Sequence, residues 1–223
     1  MARVSYQHRL DTLREDVLYM SELVIDRLRL ALTALEGTDE SLAHEVINGD
    51  NEINDLYLDL EGDCIDLVAL QQPVASDLRF IAASFKIITD LERIGDLAVN
   101  LAEYSLSTDR IRFPDVDIQT IGSVVTVMVE DAMRTYAEAD RELCYELEAR
   151  DDSVDQQCET ASEAVVRDLL ARDESTDVDL EGLLADISRL LLTVRDLERI
   201  GDHAVNIASR SLYMIQNDAD LLY

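Results

Sequence analysis

The sequence predicts an all-α protein of two similar antiparallel three-helix bundles, six long helices in all, and three observations carry that expectation. One stretch occurs twice: Asp90 to Asn100 reads DLERIGDLAVN and Asp196 to Asn206 reads DLERIGDHAVN, an offset of 106 residues in which only Leu97 and His203 differ. Apolar residues flank both copies at alternating steps of four and three, the spacing that lines one face of a helix. Glycine (7) and proline (2) are scarce and aromatics make up 5% of the 223 residues, which suits long helices better than turn-rich sheets. The doubled stretch implies two halves of about 100 residues, each long enough to bury a core.

Taken in order, the first helix is expected over Val4–Leu35, with a core stripe through Leu10, Leu13, Val17, Met20, Val24, Ala31 and Leu35. Gly37 is the natural stop and Thr38 the cap of the next helix. The second helix, Asp39–Gln71, carries Val46, Asp50, Ile53, Tyr57, Leu60, Cys64 and Leu67 along one seam. Pro73 breaks the chain, and the third helix starts at Ser76 or Asp77 and runs to Ser107. Thr108 to Asp115, TDRIRFPD, holds the second proline and marks the domain boundary, giving halves 1–108 and 115–223. The remaining helices are expected over Val116–Ala139, Arg141–Arg172 and Val178–Gln216, the fifth repeating the seam of the second as Leu147, Asp151, Val154, Cys158, Ala161 and Val165. Each helix should be roughly 30 residues long, or about 45 Å.

Acids interrupt these seams at matching places. Glu92 and Glu198 fall on the apolar registers of their helices, and Asp96 and Asp202 stand one turn further on. Two carboxylates at that spacing repel by roughly 0.2–0.5 kcal/mol even in water, and withdrawing an unpaired charge from water costs far more. Arg93 and Arg199, as immediate neighbours of the glutamates, point about 100° away around the helix, so a bound cation is the sharper explanation. The hairpin register supports it. Facing Asp50 with Asp96 and Asn54 with Glu92 centres the first hairpin on Pro73, and facing Asp151 with Asp202 and Asp155 with Glu198 centres the second inside the DESTD turn. Oxygen ligands converging from two helices suit hard or borderline divalent and trivalent cations such as iron, manganese, magnesium or calcium. Solvated acids paired with arginines are the competing explanation, and His203 is a weaker candidate because its counterpart is Leu97.

The net charge of −29 excludes a sequence-independent phosphate-backbone binder, so no nucleic-acid partner is expected. One lysine, Lys86, stands against 18 arginines, a composition expected in a high-salt cytoplasm where screening shortens the reach of self-repulsion. Cys64, Cys144 and Cys158 form no CxxC pair and read as reduced core residues of a cytoplasmic protein. No run of roughly 18 apolar residues is present, so direct membrane insertion is not expected.

The paired ERIGD stretches, the QQPVASDLR turn at Gln71 to Arg79, and the acidic segments at Asp50 and Asp151 closely resemble the PhoU family of phosphate-uptake regulators over nearly the whole chain. The resemblance implies two three-helix bundles whose E/D-x-x-x-D motifs bind multinuclear clusters, often of iron or zinc. Carried over residue by residue, the implied metal ligands are Asp50, Glu92, Asp96, Asp151, Asp155, Glu198 and Asp202, and Asn54 departs from the usual acid. It further implies a non-enzymatic adaptor that restrains phosphate uptake through a phosphate ABC transporter, mainly its ATPase subunit, or through a membrane sensor. A halophilic archaeal source and a homodimer are the accompanying expectations. A ferritin-like metalloenzyme would need Glu-x-x-His ligands, and Ser5, Ser41 and Ile200 stand three residues before His8, His44 and His203. A metal-free helical scaffold is the third possibility.

Overall fold

The structure is a computed structural model that describes residues 2–71, 73–106, 116–171 and 180–216. Among these residues it contains six helices and no strand: α1 (Ala2–Gly37), α2 (Glu40–Gln71), α3 (Ala75–Ser105), α4 (Ile118–Glu138), α5 (Arg141–Ala171) and α6 (Leu180–Gln216). The predicted bounds agree to within a few residues. The exception in size is α4, at 21 residues, because its amino end is set by the Asp117 cap and its carboxyl end by a turn. The proposed boundary at Thr108–Asp115 lies outside the described residues.

The turns explain why the helices stop where they do. Gly37 is still helical; the residue that leaves the helix is Thr38, with φ 53°. Its successor Asp39, not Thr38, caps α2, accepting from the backbone N–H of Ser41 at 2.9 Å and of Leu42 at 3.2 Å. The α4–α5 turn repeats the device: Ala139 has φ 59°, and Asp140 accepts from the N–H of Glu142 at 3.1 Å and of Leu143 at 3.2 Å. A left-handed residue followed by an aspartate therefore ends the first helix of each half. Asp117 caps α4, accepting from the Thr120 N–H at 3.0 Å. Helix α3 begins at Ala75 without a side-chain cap.

Within each half the chain runs up, down and up. Arg9 meets Asp63 and Arg27 meets Glu52, so α1 and α2 are antiparallel; Arg150 meets Asp131 in the corresponding α4–α5 pair. The halves join along α3 and α6, where Asn100 reaches Asp196 while His203 reaches Asp90, an antiparallel crossing. Arg29 of α1 also pairs with Glu130 of α4. One continuous hydrophobic core draws residues from all six helices, with a small satellite of Val165, Leu183 and Ile187 at the α5–α6 end. Cys64, Cys144 and Cys158 are buried free thiols. Among the described residues no helix is long and apolar enough to cross a membrane.

Candidate metal centre

The acids stand at the edge of the core, not in it. On α3 the fully buried line includes Ile87, Leu91, Ile94, Ala98 and Leu101, while beside it Glu92 and Val99 are half-buried and Asp96 is exposed. A carboxylate there keeps part of its hydration and still feels the low dielectric of the core behind it. Small residues let the helices approach. A Cβ on Gly201 would lie 3.1 Å from Asp151 Oδ1, and one on Gly95 would lie 3.4 Å from the Ile53 side chain.

In the second half, Asp151 and Asp155 of α5 and Asp202 of α6 each offer a carboxylate oxygen, and these oxygens lie within 4.8 Å of one another. They are the one such group of three metal-capable side chains among the described residues. Burial first, and then the charges of Asp155, Asp202, Asp152 and Glu198, push the Asp151 carboxyl up to about 7. Glu198 and Asp202 are raised for the same reasons, burial leading and Asp155 next. Asp151 Oδ1 is buried with no hydrogen-bond partner. An orphaned buried oxygen on Asp151 beside the raised carboxyls of Glu198 and Asp202 is what a hard cation would resolve, and the oxygen donor set fits one. Glu198 stands outside the tight trio but within its field, on the wall of a groove shared with Asp155 and Cys158.

The first half is built differently. Burial raises Glu92 and Asp96, and Asp50 raises both further, so these three acids do share one neighbourhood. They do not converge as the second-half trio does. Asn54 donates its amide to Asp50 Oδ2 at 2.7 Å, and Arg93 Nε lies 3.8 Å from Glu92 Oε2. Arg93 also acts on Asp96, as does Arg199 from the other half. The arginines are thus less remote than helix geometry alone indicates, because their long stems curl back toward the acids.

Sequence reasoning missed the residues that lock the two centres together. Asp196, fully buried, accepts from Tyr104 Oη at 3.0 Å and Asn100 Nδ2 at 3.2 Å, with Arg195 at 3.0 Å on its other oxygen. Its repeat partner Asp90 instead meets His203 Nδ1 at 2.9 Å. That bond commits one ring nitrogen of His203 to the joint between the halves. The signal was available: the leading aspartate of DLERIGD is common to both copies, and Leu97 against His203 is the one difference within them.

A three-helix unit used twice, with acids gathered midway along the last hairpin of each copy and converging in the second, defines a duplicated helical-bundle protein with paired acidic clusters. The PhoU domain family matches residues 17–105 and 118–211, one domain in each half, and the chain belongs to that family. It is 35% identical over 216 residues to the phosphate-specific transport system accessory protein PhoU homolog 1 of Methanothermobacter thermautotrophicus, covering 96% of this chain and 95% of the relative. The PhoU homolog of Clostridium acetobutylicum is 31% identical over 218 residues, covering 96% of each chain. The crystal structure of PhoU from Pseudomonas aeruginosa superimposes with a TM-score of 0.87 at 31% identity, covering 96% of this chain and all of that one. PhoU from Streptococcus pneumoniae gives 0.85 at 25% identity, covering 96% of this chain and 98% of that one.

Proposed function

We propose that this protein is a metal-binding cytoplasmic adaptor that restrains phosphate uptake when phosphate is plentiful. The partner is a phosphate ABC transporter, engaged through its ATPase subunit, or another phosphate transporter or sensor. The observation that carries the reading is the convergence of Asp151, Asp155 and Asp202 around an unpartnered oxygen in a chain whose two halves both belong to a family of phosphate-transport accessory proteins. Asp151, Asp155, Glu198 and Asp202 would hold a divalent or trivalent ion, and Asp50, Glu92 and Asp96 are the candidate ligands of the other half. The ion would neutralise the acidic edge and brace α5 against α6. The work proposed is regulatory and not enzymatic, and the working form is a homodimer.

Deleting the gene should raise phosphate uptake, or expression of uptake genes, in phosphate-rich medium, and the purified protein should not turn over ATP or phosphate esters. An unchanged phosphate response in the deletion strain would remove the regulatory reading. Purified protein that retains no stoichiometric metal would leave a metal-free scaffold.

A further inference from the structure

Most of this molecule's exposed hydrophobic side chains fall at two equivalent places, the tips of the two last hairpins. Of the 13 large apolar residues that are exposed among the described residues, eight lie at the ends of the α2–α3 and α5–α6 hairpins. The two ends match through the repeat: Ile65 corresponds to Val166, Val74 to Leu180 and Leu78 to Leu184, and every one of these six is at least 44% exposed. Isolated surface leucines need no explanation, but apolar exposure repeated at equivalent places in both halves does. At the first hairpin that exposure becomes a trough of about 450 Å³ between α2 and α3, its walls almost wholly apolar and Lys86 the one charged residue on them.

We infer that the α2–α3 trough is a docking site for an amphipathic helix of a partner protein, apolar on one face and flanked by arginine or lysine. Three features select that occupant. The walls offer almost no hydrogen-bonding group, so an incoming extended segment would leave its backbone unpaired, whereas a helix satisfies its own. From Leu78 to Lys86 the trough runs about 12 Å, or about two helical turns, room for anchors at i, i+3 or i+4, and i+7. The α2 stretch beside it is rich in acids: Glu61, Asp63 and Asp66 flank the trough residues Cys64 and Ile65 in sequence, Asp63 being shared with Arg9 of α1, and burial first, then Asp63 and Glu61, push the Cys64 thiol up to about 12. A second copy of a −29 chain brings like charge to that rim, whereas basic flanks complement it. The inference rests on the adaptor reading for which protein carries the helix, but not for the chemistry of the trough.

The test uses the full chain and a fluorescent 18-residue helix with leucine at i, i+3 and i+7 and lysine or arginine on its other faces, titrated at moderate salt. Saturable binding with a gain of helical circular dichroism is expected. Ile65→Asp and Leu78→Asp should each weaken it at least tenfold, while Val127→Asp, at an exposed valine on α4, binds as wild type. Equal binding of a peptide with serine in place of the leucines would reduce the attraction to charge alone and overturn the inference. So would equal loss in Val127→Asp, no saturation by 1 mM, or a wild-type dimer that Ile65→Asp dissociates in sedimentation. An unchanged phosphate response in the deletion strain leaves this binding curve untouched, so the adaptor reading and the trough can fail separately.

Discussion

At the scale of single residues, the molecule holds charges that disfavour one another and arranges partners for some of them only. Asp196 is buried with four donors within reach, whereas Asp151, no deeper in the fold, has an oxygen with none. This difference has a pH signature. The folded-state Asp151 carboxyl titrates at about 7, above its ordinary 3.8, so between those values the folded chain holds a proton that the unfolded chain has released. Its contribution to stability is full below pH 4 and is lost as pH rises through 7, and the raised Glu198, Asp202, Glu92 and Asp96 add to it in the same direction. Asp117, lowered by its bonds to Thr120, works the other way, in a window below its ordinary 3.8. Chelator-treated protein should therefore melt at a higher temperature at about pH 5.5 than at about pH 8, and added cation should erase or invert that order by binding the deprotonated acids. A melting temperature in chelator that is flat or rises with pH would contradict the electrostatics described for Asp151.

At the scale of elements, the helices and their register were legible because two independent signals agree. The four-three apolar stepping marks which residues share a face, and the short turn at Pro73 places α2 against α3 closely enough to bring Asp50 to Glu92 and Asp96. The offset between the halves also changes, from 101 residues at Asp50 and Asp151 to 106 at Asp96 and Asp202, and the five extra residues fall between α5 and α6. What sequence could not show is which faces of the two bundles meet. Asn100, Tyr104 and Asp196 look like solvated polar residues until α3 and α6 cross. Nor does sequence favour Thr38 over Gly37 as the left-handed residue, since glycine is the better candidate and sits beside it. A β-branched residue at φ 53° is strained. Thr38→Gly and Ala139→Gly should each raise stability by about 1 kcal/mol in denaturant melts, despite glycine's entropic cost in the unfolded chain. A loss from either substitution would show that the turn is not strained as its backbone angle indicates.

At the scale of the whole molecule, 48 acidic residues against 19 basic ones oppose a compact shape through self-repulsion. We propose that the chain is adapted to high salt. Screening shortens the reach of repulsion from ~10 Å at 0.1 M to ~3 Å at 1 M, so melting temperature and helical circular dichroism should both rise over that range; equal stability at low and high salt would count against it. The same molecule carries two related acidic centres that differ in composition. Asp151, Asp155, Glu198 and Asp202 supply four carboxylates, three of them converging, whereas Asn54 supplies an amide that already bonds Asp50. Affinity for a hard cation rises with the number of charged ligands, so metal should reside chiefly in the second half. Elemental analysis after dialysis tests this most directly: Glu198→Gln with Asp202→Asn should remove most of the tightly bound metal, and Glu92→Gln with Asp96→Asn should remove much less. Wild-type protein without metal, or a first-half variant that loses as much as the second-half one, would contradict the account.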